Sequence, residues 1–253
     1  MRFEQVTFPS LKDVPESAWE KLSQKTIYFG HQSVGYNIVD GIRDIMKVHP
    51  RIRLSIVETH NPEDLTVPMF CHSRVGTNKD PQSKIDAFAD YMENGLADKV
   101  DIAFFKFCYI DVRAGTDAGG VFSDYKNTMT RLRTKYPDTA FVHVTVPHTI
   151  VQTGIKAGIK KIIGRPVHGY ADNIVRSRFN EMLRSEYEGK EPLFDLAKRE
   201  TTSLDGKQAS FEEGGTTFHG IVPSYTFDGG HLDEAGRRIV AEQLLISLAI
   251  LAE

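Results

Sequence analysis

The sequence predicts a doubly wound α/β fold with a mostly parallel sheet, and two observations carry that prediction. Short β-branched and aromatic runs alternate with segments whose apolar residues recur every three or four positions. The run from Asp101 to Ile110 is almost continuously apolar, as expected of a central strand covered on both faces. The elements follow in order. Lys25 to Phe29 reads as the first strand. Val34 to Val48 reads as a helix, with Ile38, Ile42, Ile45 and Met46 at helical spacing. Arg51 to Glu58 is the second strand, with Ile52, Leu54 and Ile56 on one face. Pro81 to Asn94 is a helix striped by Ile85, Phe88, Ala89 and Met92. Asp101 to Ile110 is the third strand, and Phe122 to Tyr136 returns to helical spacing. Thr139 to Val146 is the fourth strand, stopped by Pro147. Ala171 to Tyr187 is an amphipathic helix, Pro192 to Ala197 a short fifth strand, and Asp233 to Leu251 a strongly apolar final helix. Two long stretches, Thr59 to Asp80 and Thr201 to Phe227, read as irregular. Loops of that length in a compact domain are usually functional or mobile. Both would lie beyond the carboxyl ends of the strands, where open α/β sheets bind ligands.

The chain has 253 residues, 40% apolar and 26% charged, with a formal net charge of -3. That is an ordinary globular composition. With no repeat, low-complexity tract or clear linker, one domain over residues 1–253 is expected. The overall charge gives no reason to expect nucleic acid or an anionic membrane as a partner. Two basic patches, Lys156 to Arg165 and Arg176 to Arg184, read as solvated helix faces. No run approaches the ~20 apolar residues of a membrane helix. Met1 to Glu20 has no apolar signal-peptide core, so a cytoplasmic location is the default expectation. Two cysteines, Cys71 and Cys108, do not make a disulfide framework. Cys108 reads as a buried thiol and Cys71 as part of a polar loop, and a single bridge between them stays open.

The chemistry concentrates at the two ends of the chain. Thr26 to Gly30 runs directly into His31-Gln32-Ser33-Val34-Gly35. A serine there, on a strand-to-helix turn, exposes its hydroxyl at the sheet edge. The helix N-terminus beside it offers free backbone N–H groups for a developing oxyanion. Ser33 is also a natural helix N-cap, so alone it is ambiguous. Phe227-Asp228-Gly-Gly-His231-Leu232 precedes the last helix. A neutral His231 can take the serine proton, and Asp228 can hold its other ring nitrogen and fix the tautomer. Alone, this segment reads equally as a turn before a helix. Together the two segments offer a nucleophile, a base and an orienting acid.

In these two blocks the chain resembles the SGNH hydrolase superfamily, the GDSL-like lipases and esterases, as a divergent member. The serine after strand one matches Gly30-His-Gln-Ser33. The Asp-x-x-His followed by Leu and a downstream Gly matches Asp228-Gly-Gly-His231-Leu232 with Gly236. The resemblance implies a flavodoxin-like three-layer α/β/α sandwich around a five-stranded sheet. It implies Ser33 as nucleophile, His231 as base and Asp228 as its partner, with no cofactor. The family's acidic residue before the serine is Gln32 here. Its second-block glycine, an oxyanion donor, is matched by Gly76. Its third block, Gly-x-Asn-Asp after the central strand, is missing from Lys106-Phe-Cys-Tyr-Ile-Asp111. Tyr109, or Asn78 from the neighbouring loop, would then donate to the oxyanion.

Other candidates are plainer. His31 either lines the site or forms a structural hydrogen bond. His60, His72, His143, His148, His168 and His219 lack metal-ligand spacing. Lys106, at the end of a buried strand, needs a partner or water and would reach the cleft or pair with Asp111. The glycine pairs Gly119-Gly120 and Gly214-Gly215 fit neither nucleotide-binding motif. The reading is a cofactor-free esterase acting on a small or carbohydrate ester. A non-catalytic ligand-binding relative is the first rival, and an acyltransferase using the same three residues is the second.

Overall fold

A computed structural model describes residues 8–253, the side chains of Lys156 and Lys161 excepted. The first part of the chain forms α1 (Glu16–Ser23), β1 (Ile27–His31), α2 (Ser33–Val48), β2 (Ile56–Glu58), β3 (Phe70–Arg74), α3 (Pro81–Tyr91), β4 (Ile102–Phe105) and α4 (Ala118–Lys135). There follow β5 (Ala140–Phe141), β6 (His143–Val144), α5 (Ile155–Ile162), α6 (Tyr170–Tyr187), β7 (Leu193–Phe194) and α7 (Leu196–Thr201). The hairpin strands β8 (Ser210–Glu213) and β9 (Thr216–His219) and the last helix α8 (Glu234–Leu251) complete it.

The main sheet is parallel throughout, in the order β2-β3-β1-β4-β5. The run holding β5 and β6 alternates its donors. Val142 N bonds Ala103 O of β4, then His143 N and Thr145 N bond Pro192 O and Phe194 O beside β7. One extended run thus joins β4 on one edge to β7 on the other. Without the short edge strand β2, the order β3-β1-β4-β5/β6-β7 is flavodoxin-like, and the order reverses between β1 and β4. One apolar layer sets α1, α2 and α8 against the sheet through Trp19, Ile38, Phe29, Phe104, Val240 and Leu244. The other sets α3, α4 and α6 against it through Phe88, Phe105, Tyr125 and Phe179. The result is the expected three-layer α/β sandwich.

Several elements differ from expectation. The second strand shrinks to Ile56–Glu58 at the sheet edge, while β3, inside the stretch expected to be irregular, takes the place beside β1. Its apolar content is low because two of its buried residues are polar and partnered by β1. Ser73 Oγ lies 2.8 Å from the Tyr28 hydroxyl, and His72 Nδ1 lies 3.0 Å from His31 Nε2. Cys71 is therefore a buried strand residue, not a loop residue, and both it and Cys108 are free thiols. The stretch from Thr201 to Phe227 also holds structure. Glu213 pairs with Thr216 across Gly214-Gly215, whose φ values of 58° and 75° suit a type I′ hairpin turn. The Arg176 to Arg184 patch is a solvated face only in part, at the exposed Arg178. Arg176 is 2% exposed, and Arg184 forks onto Asp195 at 2.8 and 2.9 Å. Among the described residues no helix is long and apolar enough to cross a membrane.

Helices α2 and α8 approach closely at Gly41. A Cβ there would stand 2.3 Å from the Arg237 carbonyl oxygen. Gly41→Ala must therefore spread the two helices, an overpacking that costs about 1–3 kcal/mol. The expected result is a lower urea midpoint with an unchanged slope.

Candidate active site

The site forms where the sheet order reverses, at the carboxyl ends of β1 and β4. Ser33 is the first residue of α2, and Gln32, not Ser33, takes the N-cap position, with no side-chain capping bond. The hydroxyl of Ser33 is thus not spent on capping. It lies 2.9 Å from His231 Nε2. His231 Nδ1 lies 2.6 Å from Asp228 Oδ2, while Asp228 Oδ1 accepts from the backbone N–H groups of Gly230 and His231 at 3.0 and 2.8 Å. A carboxylate can only accept here, so Nδ1 carries the hydrogen and Nε2 is left to accept from serine. Burial pushes the Asp228 carboxyl up, but hydrogen bonds from the His231 backbone and ring and from Gly230 outweigh it and hold the group below its ordinary range. Chemically, the array can take the serine proton and stabilise the imidazolium that results.

His231 is delivered by the start of α8. Asp233 caps that helix, accepting from Gly236 N at 2.9 Å. Leu232 N donates to Asn37 Oδ1 on α2, and Arg237 pairs with Asp44 of α2 at 2.5 Å. These bonds hold the segment Asp228 to Asp233 over the N-terminus of α2.

Beneath Ser33 lies a pair of buried histidines. His31 is fully buried, so it does not line the cleft. Its Nδ1–H donates to Gln32 O at 2.8 Å, which leaves Nε2 to accept from His72 Nδ1–H. Burial pushes the His31 pKa down to about 3, so the ring is a neutral support under the backbone just before Ser33. The Gln32 amide donates to Val75 O and Gly76 O at 2.9 and 2.7 Å and ties the end of β1 to the turn after β3.

That turn carries Gly76 (φ 51°) and Asn78. Asn78 Oδ1 accepts from Lys84 Nζ at 2.9 Å, which leaves the amide hydrogens as its free donors. Lys84, fully buried, bonds Asp111 Oδ2 at 2.5 Å, and Asp111 also accepts from Cys108 N and Lys79 N at 2.6 and 2.9 Å. Asp111 therefore holds the Asn78 loop and the Tyr109 loop together. The Tyr109 ring sits edge-on to His231 at 5.8 Å. Burial, then the Asp228 charge, pushes its phenol up and keeps it neutral. Arg176 fixes the same loop by donating to Tyr109 O and Val112 O at 2.8 and 2.9 Å. Tyr109, Arg113, His168 and Asp228 line a cavity of about 310 Å³ that borders the array, while Ser33 itself is exposed beside it. Lys84, Asp111, Arg176 and His72 carry this scaffold, and sequence reasoning gave none of them a part in the site.

Lys106 does not pair with Asp111 or reach the cleft. It is 1% exposed, with Phe107 O at 3.4 Å and Cys108 Sγ at 3.7 Å from its Nζ, and burial pushes its pKa down. Glu200 is also fully buried. Burial pushes its carboxyl up to about 8, against a hydrogen bond from the His148 backbone and the charges of Lys106 and Arg176.

Comparison with solved structures gives weak likenesses. A lipolytic protein of the G-D-S-L family from Veillonella parvula is 13% identical, with 87% of this chain and 95% of that chain covered and a TM-score of 0.49. A lipase from a goat rumen metagenome is 10% identical, with 88% and 96% covered and a TM-score of 0.46. The periplasmic domain of a lipopolysaccharide acetyltransferase from Salmonella ser. Paratyphi A is 11% identical, with 94% and 89% covered and a TM-score of 0.45. No family model and no curated protein matches the chain.

Two outcomes are expected. Lys84→Met strands the buried Asp111 charge and should cost about 3–5 kcal/mol; the double variant Lys84→Met with Asp111→Asn should recover part of it, measured by chemical denaturation. The second concerns pH. Between the ordinary carboxylate value and about 8, folded Glu200 holds a proton that the unfolded chain has lost, so its contribution to stability falls as pH rises. Glu200→Gln should remove that decline, seen as a smaller loss of Tm between about pH 5 and about pH 8 than in the wild type.

Proposed function

We propose that the protein is a serine hydrolase of the SGNH type that cleaves ester bonds, with Ser33, His231 and Asp228 as its catalytic triad. The observation that carries this reading is the continuous series from Ser33 Oγ to His231 Nε2 at 2.9 Å and from Nδ1 to Asp228 at 2.6 Å. Ser33 attacks the acyl carbon while its proton passes to His231. The oxyanion that forms is met by the N–H groups at the start of α2, with Gly76 N–H and the Asn78 amide as further donors in place of the missing Gly-x-Asn-Asp. Collapse expels the alcohol, which takes its proton from His231. Water activated by the same histidine then frees the acid. No cofactor enters the scheme.

An exposed nucleophile at the rim of a modest cavity suits a small acyl group, such as acetyl, on a polar or carbohydrate carrier. The same exposure favours a second reading, in which an acceptor alcohol replaces water and the enzyme transfers the acyl group. Product analysis with and without candidate sugar acceptors separates the two.

Ser33→Ala should reduce turnover of p-nitrophenyl acetate to background and abolish labelling by a fluorophosphonate. Asp228→Asn keeps the shape but favours the wrong imidazole tautomer, and a loss of about 10⁴-fold in kcat is expected. Full turnover by Ser33→Ala would sink the assignment.

A further inference from the structure

Helix α5 is amphipathic in the wrong direction for a helix packed on its own protein. At 3.6 residues per turn, Ile155, Ile159, Ile162 and Ile163 share one stripe and Ala157 lies opposite. Ala157 is buried, whereas the four isoleucines are 85%, 52%, 86% and 57% exposed. The small residue docks the helix and the large apolar ones face outward. A chain alone in water gains nothing from that arrangement, because contiguous apolar patches of this kind mark binding surfaces.

The charge on the same segment says what covers it. Lys156, Lys160, Lys161 and Arg165 accompany the isoleucines, and no acidic residue occurs between Asp138 and Asp172. The net charge of -3 conceals this locally cationic stretch. An apolar stripe with basic residues and no acids is the composition of helices that lie in the interface of anionic membranes. The helix also neighbours the site. Ile150 N bonds Gly229 O at 2.7 Å, and Gln152, which bonds Lys160 Nζ at 2.7 Å, bonds His168 O at 3.1 Å. Phe227, 69% exposed, stacks 6.0 Å from the His231 ring.

We propose that α5 is a docking surface for an anionic lipid bilayer and holds the Ser33–His231–Asp228 array beside the lipid–water interface. The isoleucine stripe enters the headgroup boundary, and the positive charge of the segment draws it to anionic lipid. This goes beyond the expectation that Lys156 to Arg165 is a solvated helix face.

The test is sedimentation with vesicles of phosphatidylcholine alone or with about 30 mol% phosphatidylglycerol. Wild type is expected to sediment with the anionic vesicles only, and less so as salt rises from about 0.05 M to about 0.5 M. Ile155→Ser with Ile162→Ser should weaken partitioning by about tenfold or more and leave turnover of a soluble ester unchanged. Ser33→Ala should bind like wild type, so failure of the hydrolase reading would leave this result intact. Failure of wild type to bind anionic vesicles, or undiminished binding by the double variant, overturns the proposal. So does a dimer that dissociates in the double variant without any vesicle binding, which would give the face to a second copy of the chain.

Discussion

The arrangement of the site depends on how tightly α8 lies along α2. Ser33 begins α2, and His231 precedes α8 by three residues, so the angle and distance between these helices set the Oγ–Nε2 separation. Their contact is a backbone approach, with Gly41 facing the Arg237 carbonyl. It is sealed by Ile38, Ile42, Val240 and Leu244, all buried. Full burial of such a side chain is worth about 1.5–3 kcal/mol. The part-exposed Arg237–Asp44 pair contributes far less energy. Its value is directional, since with the Leu232–Asn37 bond it fixes the register of one helix on the other.

A second constraint works on the loops. Residues 76–80 and 106–112 contain almost no regular structure, yet buried charge holds them in place. Asp111 gathers Lys84, Cys108 N and Lys79 N, and Arg176 gathers two carbonyls of the second loop. Burying such groups adds little net stability. What it adds is geometry, because each partner left unsatisfied would cost far more than a sliding apolar contact. The two histidines under Ser33 serve the same end without charge.

The sequence exposed the parts of this protein that follow a period or a motif. The helices α2, α6 and α8 announce themselves by apolar spacing, and β1 and β4 by unbroken apolar runs. Ser33, Asp228 and His231 stood out because their residue types sit at structural boundaries. What stayed hidden depends on partners distant in the chain. Strand β3 reads as a loop because His72 and Ser73 are polar, and only His31 and Tyr28 across the ladder make their burial tolerable. Lys84 looks like a surface lysine on α3 until Asp111 arrives from beyond β4. Arg176 looks like part of a basic face until carbonyls of the 106–112 loop turn toward it. The β8–β9 hairpin was readable in principle from Gly214-Gly215 between two short strands.

The serine and the histidine it faces are 198 residues apart in sequence. Neither segment holds the array alone, and Ser33 has no ring to face until the residues up to His231 have folded back over the start of α2. The Ser33 hydroxyl meets the His231 ring only when α8 closes against α2, one of the longest-range contacts in the fold and so costly in loop-closure entropy. The contact between Ser33 and His231 thus reports completed packing of α8 on α2, and damage that frees α8 would break it before the sheet itself comes apart.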